Sequence, residues 1–438
     1  MDIPKREIGM VTATALVVGN MIGSGVFLLP ASLAPYGGYS LLGWVFSAGG
    51  ALLLAGVFYR LSKRSPRAGG PYAYSRDAFG DFAGFLVAWI YWVGLVAGNA
   101  ALAVGGASYF STFLPAVGSH PLLGALAALA TIWIFTVINI AGVRSAGVVQ
   151  IVTTILKILP LLALALFAFA HFDPKLMIPG PAAGSPWHAI SFCVAATLFG
   201  FLGVECASIP AGHVRDPEKT IPRATLLGTL IAAAVFITST TAVMGVLPEA
   251  GLAASQAPFA DAGRLLWGGW AAWLIAGAAV ISSVGCLNGW ILIMGQFPQA
   301  VAKDGLFPRL FARETARGTP AAGLLVSAAI ASLLVLANYT HGMVAMFTFM
   351  MLLTTLTSVI AYLFSAMADV VLAHRSGSPL PWSQLAMAYG AFAFSLWAAI
   401  GAGEEAVFWT FVLLILGVPL YVWQVHRNGR AACGGVAG

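Results

Sequence analysis

Apolar residues run through this chain in blocks of about 18 or more, the length a helix needs to cross a hydrocarbon layer. The blocks fall near 9–33, 41–59, 82–114, 120–141, 148–171, 190–212, 224–247, 268–294, 320–337, 343–373, 382–400 and 406–424, with short polar connections between them. They predict an all-α integral membrane protein of about twelve transmembrane helices, with no room for a soluble domain. Two blocks are interrupted. Gly23-Ser24-Gly25 breaks the first, and Gly200 and Gly203 break the sixth just before an acid, Glu205. A helix in hydrocarbon can break only where its freed N–H and C=O groups meet protein, ions or ligand, so paired broken spans in corresponding places mark a secondary transporter built from repeats.

Composition sharpens this picture. Of the 438 residues 60% are hydrophobic and 8% charged, far below the roughly 25% charged of a soluble domain. Lys and Arg concentrate in alternate connections: Arg60, Lys63, Arg64 and Arg67; Arg144; Arg215, Lys219 and Arg223; Lys303, Arg309, Arg313 and Arg317; Arg375. Lys5, Arg6, Arg427 and Arg430 fall on the same side, and only Lys175 and Arg264 oppose them. Because cytoplasmic loops retain basic residues, both termini are expected in the cytoplasm. The net charge of +6 follows from that asymmetry, so no nucleic-acid partner is inferred.

The first apolar block is too long for a signal peptide and is followed at once by another span. Cys193, Cys206, Cys286 and Cys433 contain no CxxC pair, and the seven histidines lie in loops or at span ends. Neither a disulfide framework nor a metal site is expected, and no cofactor.

The first five blocks and the next five match as patterns, each set opening on a broken helix, with two blocks appended. The expected division is a first repeat over 1–171, an inverted second repeat over 190–373, and two additional helices over 382–424. Five is odd, so the second set runs inverted and the broken helices cross near the bilayer midplane. Helix N-termini there suit a carboxylate and open carbonyls suit an ammonium group. Glycines that merely permit close helix packing are the plainer alternative, but two breaks in equivalent helices favour the transporter.

Seven segments carry a resemblance across nearly the whole chain: Ile22 to Ala34 (IGSGVFLLPASLA), Gly69 to Gly80 (GGPYAYSRDAFG), Ala88 to Asn99 (AWIYWVGLVAGN), Phe199 to Ser208 (FGFLGVECAS), Asp216 to Thr225 (DPEKTIPRAT), Leu287 to Gln296 (LNGWILIMGQ) and Lys303 to Arg313 (KDGLFPRLFAR). With them the chain resembles the amino acid–polyamine–organocation transporters, of leucine-transporter-type fold, and among these the bacterial arginine/agmatine and related basic amino acid or polyamine antiporters. The resemblance implies that Ser24 and Gly25, with backbone near Ile22, receive a substrate carboxylate, and that the carbonyls of Phe199 and Leu202 take its amino group. It places Tyr91 and Trp290 at gating aromatics, Glu205 at a buried gate acid and Tyr362 at a gate tyrosine. Asn99, with Gly94 and Leu95 nearby, and Thr354 match the region that contacts the substrate side chain. A bacterial inner membrane is implied as well, with membrane lipid, a small-molecule substrate, a proton and a second copy of the chain as partners.

Two ionisable residues stand out physically. An acid at mid-membrane costs at least about 2.5 kcal/mol unless paired or neutral, so Glu205 needs partners, and a proton-linked gate is one use for such a group. Lys157, about nine residues into the fifth block, is too deep to snorkel easily. A lysine at this place resembles the proton-coupled and exchanger branches of the family, and the resemblance implies that its ammonium replaces the sodium ion of sodium-driven relatives, with carbonyls of the first broken helix and Ser282, Ser283 or Cys286 as partners. Asp369 reads as an interfacial acid near Arg375. Phe199 stands where the arginine/agmatine antiporters have a tryptophan, so a proton-coupled carrier of neutral amino acids is the alternative. A channel or an intramembrane enzyme would need a polar pore or a catalytic set in the spans, and neither is visible.

Overall fold

The computed structural model describes residues 9–65, 69–142, 147–205 and 216–434. Lys5, Arg6, Arg67, Arg144, Cys206, His213 and Arg215 lie outside the described residues, as do the side chains of Ser24, Arg430 and Cys433. The principal helices are α1 (Met10–Met21), α2 (Ser24–Leu33), α3 (Tyr39–Arg64), α4 (Pro71–Phe79), α5 (Asp81–Phe110), α6 (Pro121–Ile140), α7 (Gly147–Ala168), α8 (Pro186–Leu198), α9 (Pro217–Met244), α10 (Gly269–Lys303), α11 (Ala321–Asn338), α12 (Met343–Arg375), α13 (Trp382–Gly401) and α14 (Glu404–Gly434).

Among the described residues nine helices are long and apolar enough to cross a membrane unaided. Counting the bent α1–α2 pair and the bent segment that begins in α7 gives up to eleven among the described residues, one below the expected twelve, and α8 is a further apolar helix too short to cross unaided. Helix α4 is too short and polar to span, and its sequence opens on Pro71 just after Gly70 (φ +53°), a turn residue followed by a first-turn proline.

Burial is distributed as lipid solvation demands. Leu159, Leu166, Leu333 and Phe411 are exposed, facing hydrocarbon instead of water, while Lys157, Glu205, Asp369 and many Ser and Thr hydroxyls are buried. Helices α5 and α12 are the most enclosed, with 78% and 72% of their hydrophobic windows buried against 17% for α14. Small residues let these two central helices approach. A Cβ on Gly98 would stand 3.0 Å from Thr354 Cγ2, and one on Gly94 would strike Thr357 Oγ1. Without a hydrophobic force between helices in lipid, such close backbone packing is what holds them.

The structure corrects one expectation at the end of α12. Asp369 is fully buried; its partners are Arg60 and Arg64 of α3, and Arg375 instead donates to the Asp77 carbonyl. The pattern on α12 alone could not reveal partners about 300 residues upstream.

Candidate functional site

The first break is small. Helix α1 stops at Met21, Ile22 (φ −84°, ψ 91°) and Gly23 (φ −115°, ψ −159°) are extended, and α2 starts at Ser24. Any residue adopts those angles, so Gly23 and Gly25 are needed for space. A Cβ on Gly23 would lie 2.7 Å from Cys286 Sγ, and one on Gly25 would lie 2.6 Å from the Phe199 ring. The four carbonyls that a helix leaves unpaired at its C-terminus all find partners here. Val18 O accepts the Ile22 N–H at 2.9 Å and Met21 O the Gly23 N–H at 3.1 Å. Gly19 O accepts from Lys157 Nζ at 3.1 Å, and Asn20 O from Trp290 Nε1 at 3.4 Å and Cys286 Sγ at 3.6 Å. Among the described residues no side chain caps the positive end of α2, whose N-cap is Gly23.

The second break follows α8. A 3₁₀ turn covers Phe199–Phe201, Leu202 is extended, and Gly203 takes φ +99°, a left-handed conformation that glycine adopts without a Cβ penalty. This reversal lets the Gly203 N–H reach back to Glu205 Oε2 at 3.2 Å. Tyr91 of α5 donates to Glu205 Oε1 at 2.5 Å, and Tyr362 of α12 donates to Oε2 at 2.7 Å. Both rings are fixed by packing, Tyr91 on Phe297 (centroids 5.0 Å apart) and Tyr362 edge-on to Phe58 (5.2 Å). The buried acid is thus held between two central helices, with a tyrosine donor from each.

Between the breaks lies a partly open cavity. Gly25, Tyr91, Gly94, Leu95, Asn99, Phe199, Leu202, Glu205, Trp290 and Thr354 all line it. The Phe199 ring lies against Gly25 and meets Phe347 edge-on at 6.0 Å. Asn99 Nδ2 donates to Leu95 O at 2.8 Å and Trp290 O at 3.4 Å, and its buried Oδ1 has no partner among the described residues. Thr354 spends its proton on Met350 O, so its oxygen is left as an acceptor. Among the described residues this wall carries one acidic side chain, Glu205, and no basic one.

Some expected residues stand off the wall. Ile22 is fully buried beside the cavity, Tyr362 lies behind Glu205, and Lys157 lies behind α1, 1% exposed. Of the expected Lys157 partners the Gly19 carbonyl is met and Cys286 lies within electrostatic reach; Ser283 bonds Ala279 O instead, and the Ser282 hydroxyl has no partner among the described residues. Sequence reasoning missed Asn20, Gly98, Cys286 and Ser358 as cavity-lining residues. Helical spacing was the available signal: Gly98 follows Gly94 by four, and Ser358 follows Thr354 by four.

Below the cavity, Tyr72 and Arg76 of α4 reach Asp304 at the end of α10, and Tyr72 also packs against Phe297. Burial, then the Asp304 hydrogen bond, pushes the Tyr72 phenol well above its ordinary range. A chain of contacts therefore runs from Glu205 through Tyr91, Phe297 and Tyr72 to Asp304.

Residues 8–428 match the family described as amino acid permease. The cadaverine/lysine antiporter of Escherichia coli (strain K12) is 31% identical over 433 residues, 97% of this chain and 96% of that protein. The putrescine transporter PotE of Haemophilus influenzae is 32% identical over 432 residues, 98% of this chain and 99% of that protein. The Escherichia coli (strain K12) putrescine transporter PotE is 32% identical over 420 residues, 95% of each chain.

Proposed function

We propose that this chain, which belongs to the amino acid permease family, is an alternating-access exchanger of basic amino acids and their amines. The observation that carries the reading is the Glu205 carboxyl, clamped by Tyr91 and Tyr362 at one wall of a cavity between two broken helices. Relatives over nearly the full length bear the names of cadaverine, lysine and putrescine carriers, and arginine with agmatine belongs to the same chemical class.

In this scheme the uncapped α2 terminus at Ser24 and Gly25, beside Ile22, receives a carboxylate. The Phe199 and Leu202 carbonyls take the α-amino group. Asn99 Oδ1, the Thr354 oxygen and backbone near Gly94 and Leu95 accept hydrogen bonds from the distal cation. Trp290 covers the substrate, while Glu205, Tyr91 and Tyr362 form the gate beneath it. A diamine uses the same acceptors and leaves the carboxylate position to water. Lys157 pins α1 through Gly19 and stands in for a metal cation, so sodium is not required and a proton on Lys157 or Glu205 is the coupling species. The two halves, 1–171 and 190–373, move as inverted repeats in an inner membrane with both termini cytoplasmic, and a homodimer in lipid is the working assembly.

Phe199 and Lys157 favour a second reading, proton-coupled carriage of neutral amino acids: an apolar ring lies against Gly25, and the Lys157 ammonium holds the carbonyl of Gly19, the residue before the cavity-lining Asn20. Counterflow into proteoliposomes loaded in turn with lysine, cadaverine, ornithine, putrescine, arginine, agmatine, alanine and leucine decides between them. Accumulation driven only by basic compounds supports the exchanger, and accumulation driven by alanine or leucine alone overturns it.

A further inference from the structure

Helix α12 carries a buried polar stripe that the gate accounts for only in part. Thr354, Ser358, Tyr362, Ser365 and Asp369 are all at most 6% exposed. At 100° per residue they fall within an arc of about 80° and extend about 22 Å along the axis. The upper two line the cavity, Tyr362 holds Glu205, and Asp369 lies near the end that carries Arg60, Lys63, Arg64 and Arg375, inward by the positive-inside rule. Thr354 and Ser365 donate their protons to Met350 O and Ala361 O of their own helix, at 2.7 and 2.8 Å. Their oxygens are left as acceptors, a surface that suits an ammonium group and not a carboxylate.

At the foot of the stripe Asp369 meets two guanidiniums. Arg60 Nε donates to Oδ2 at 2.7 Å and its Nη2 lies 2.7 Å from the same oxygen, while Arg64 Nη1 reaches Oδ1 at 2.5 Å. Arg60 Nη1 also contacts Met387 Sδ of α13 at 3.0 Å. One fully buried carboxylate is thus saturated by cations from α3.

We propose that this face of α12 is the inward half of the translocation path and that Asp369 is a second ammonium-binding station on it, occupied in the present conformation by Arg60 and Arg64. The proposal rests on the basic-amine reading above. Opening the inward side parts α3 from α12 and withdraws the guanidiniums. A buried carboxylate stripped of its partners is strongly unfavourable, and the ammonium group of a departing substrate is the cation at hand to replace them. The loaded carrier therefore opens inward more readily than the empty one, a condition for exchange in preference to leak.

The test compares Asp369→Asn and Arg64→Gln with wild type in oriented proteoliposomes, using radiolabelled lysine and cadaverine, with KM read separately on the inward and outward faces. Asp369→Asn should raise the inward KM tenfold or more, leave the outward KM within twofold, and permit net efflux into amine-free buffer. Arg64→Gln should act oppositely, lowering the inward KM several-fold by unmasking the carboxylate. A simple packing latch moves the rate in the same direction in both variants with no side-specific KM, and that result overturns the station. Should Asp369→Asn fail to fold, Asp369→Glu, expected to keep the inward KM within threefold, and Arg64→Gln carry the test; an unchanged inward KM in Arg64→Gln refutes it. Wild type that exchanges no basic compound sinks the functional reading itself, whereas wild-type exchange with unshifted variants sinks only the station.

Discussion

Glu205→Gln is the perturbation that isolates the gate. The carboxylate accepts from Tyr91 at 2.5 Å, Tyr362 at 2.7 Å and the Gly203 N–H at 3.2 Å. An amide of the same shape keeps one carbonyl acceptor and turns a pair of donors toward a phenol that is itself donating, so one tyrosine hydroxyl proton loses its carboxylate acceptor. Hydrogen bonds to a charged group are worth about 1.5–3 kcal/mol each, and each 1.4 kcal/mol is tenfold in an equilibrium. The closed gate should therefore weaken by a factor of roughly 10–100. Protonating the native acid removes the same acceptor, so wild-type exchange should accelerate as pH falls. The variant should be locked near the wild-type acid-side rate at every pH while still binding substrate. Initial exchange rates in proteoliposomes between pH 5 and 8, with binding followed by calorimetry, give both readouts. A Glu205→Gln profile that tracks wild type would show that the acid has no part in gating.

Three further outcomes follow from the same geometry. Gly25→Leu should abolish substrate binding in calorimetry while the protein still elutes as folded, because even a Cβ meets the Phe199 ring at 2.6 Å and overpacking of this kind costs about 1–3 kcal/mol; unchanged affinity removes the α2 terminus from the site. Replacing sodium by choline should not alter wild-type uptake, and Lys157→Ala, which deprives Gly19 O of a charged donor worth about 1.5–3 kcal/mol, should slow uptake tenfold or more; a fully active alanine variant, or uptake stimulated by sodium, ends the coupling role. The Tyr72 phenol, raised by burial and then by Asp304, contributes stability that is complete below its ordinary value of about 10 and fades only as pH climbs past that toward its raised one. The melting-temperature gap between wild type and Tyr72→Phe should hence stay constant from pH 6 to 9, and a gap that shrinks in that window contradicts the protonated latch.

The spans were legible because membrane insertion is a local matter: a run of apolar residues is a helix in lipid wherever it occurs. The two breaks were legible for the same reason, since glycines next to polar residues within such runs need an explanation on the spot. Lys157 and Glu205 announced themselves by cost alone, as ionisable groups deep in apolar blocks. Most of the cavity wall followed from the motifs that surround those breaks.

Partnership was not legible. Glu205 meets Tyr91 and Tyr362 across 114 and 157 residues, and Asp369 meets Arg60 across 309. No periodicity within α12 distinguishes an acid at the lipid boundary from one enclosed by two guanidiniums, so Asp369 reads as interfacial until α3 is placed beside it. Ser282 and Ser283 likewise share a helix face-width with Cys286, and only the packing of α1 decides that Lys157 reaches a carbonyl and neither hydroxyl. Hydropathy and turn chemistry are properties of neighbours along the chain and were set by the sequence by itself; which helix faces which depends on close approach at a few small residues, among them Gly23, Gly25, Gly94 and Gly98, and only the tertiary structure decided it.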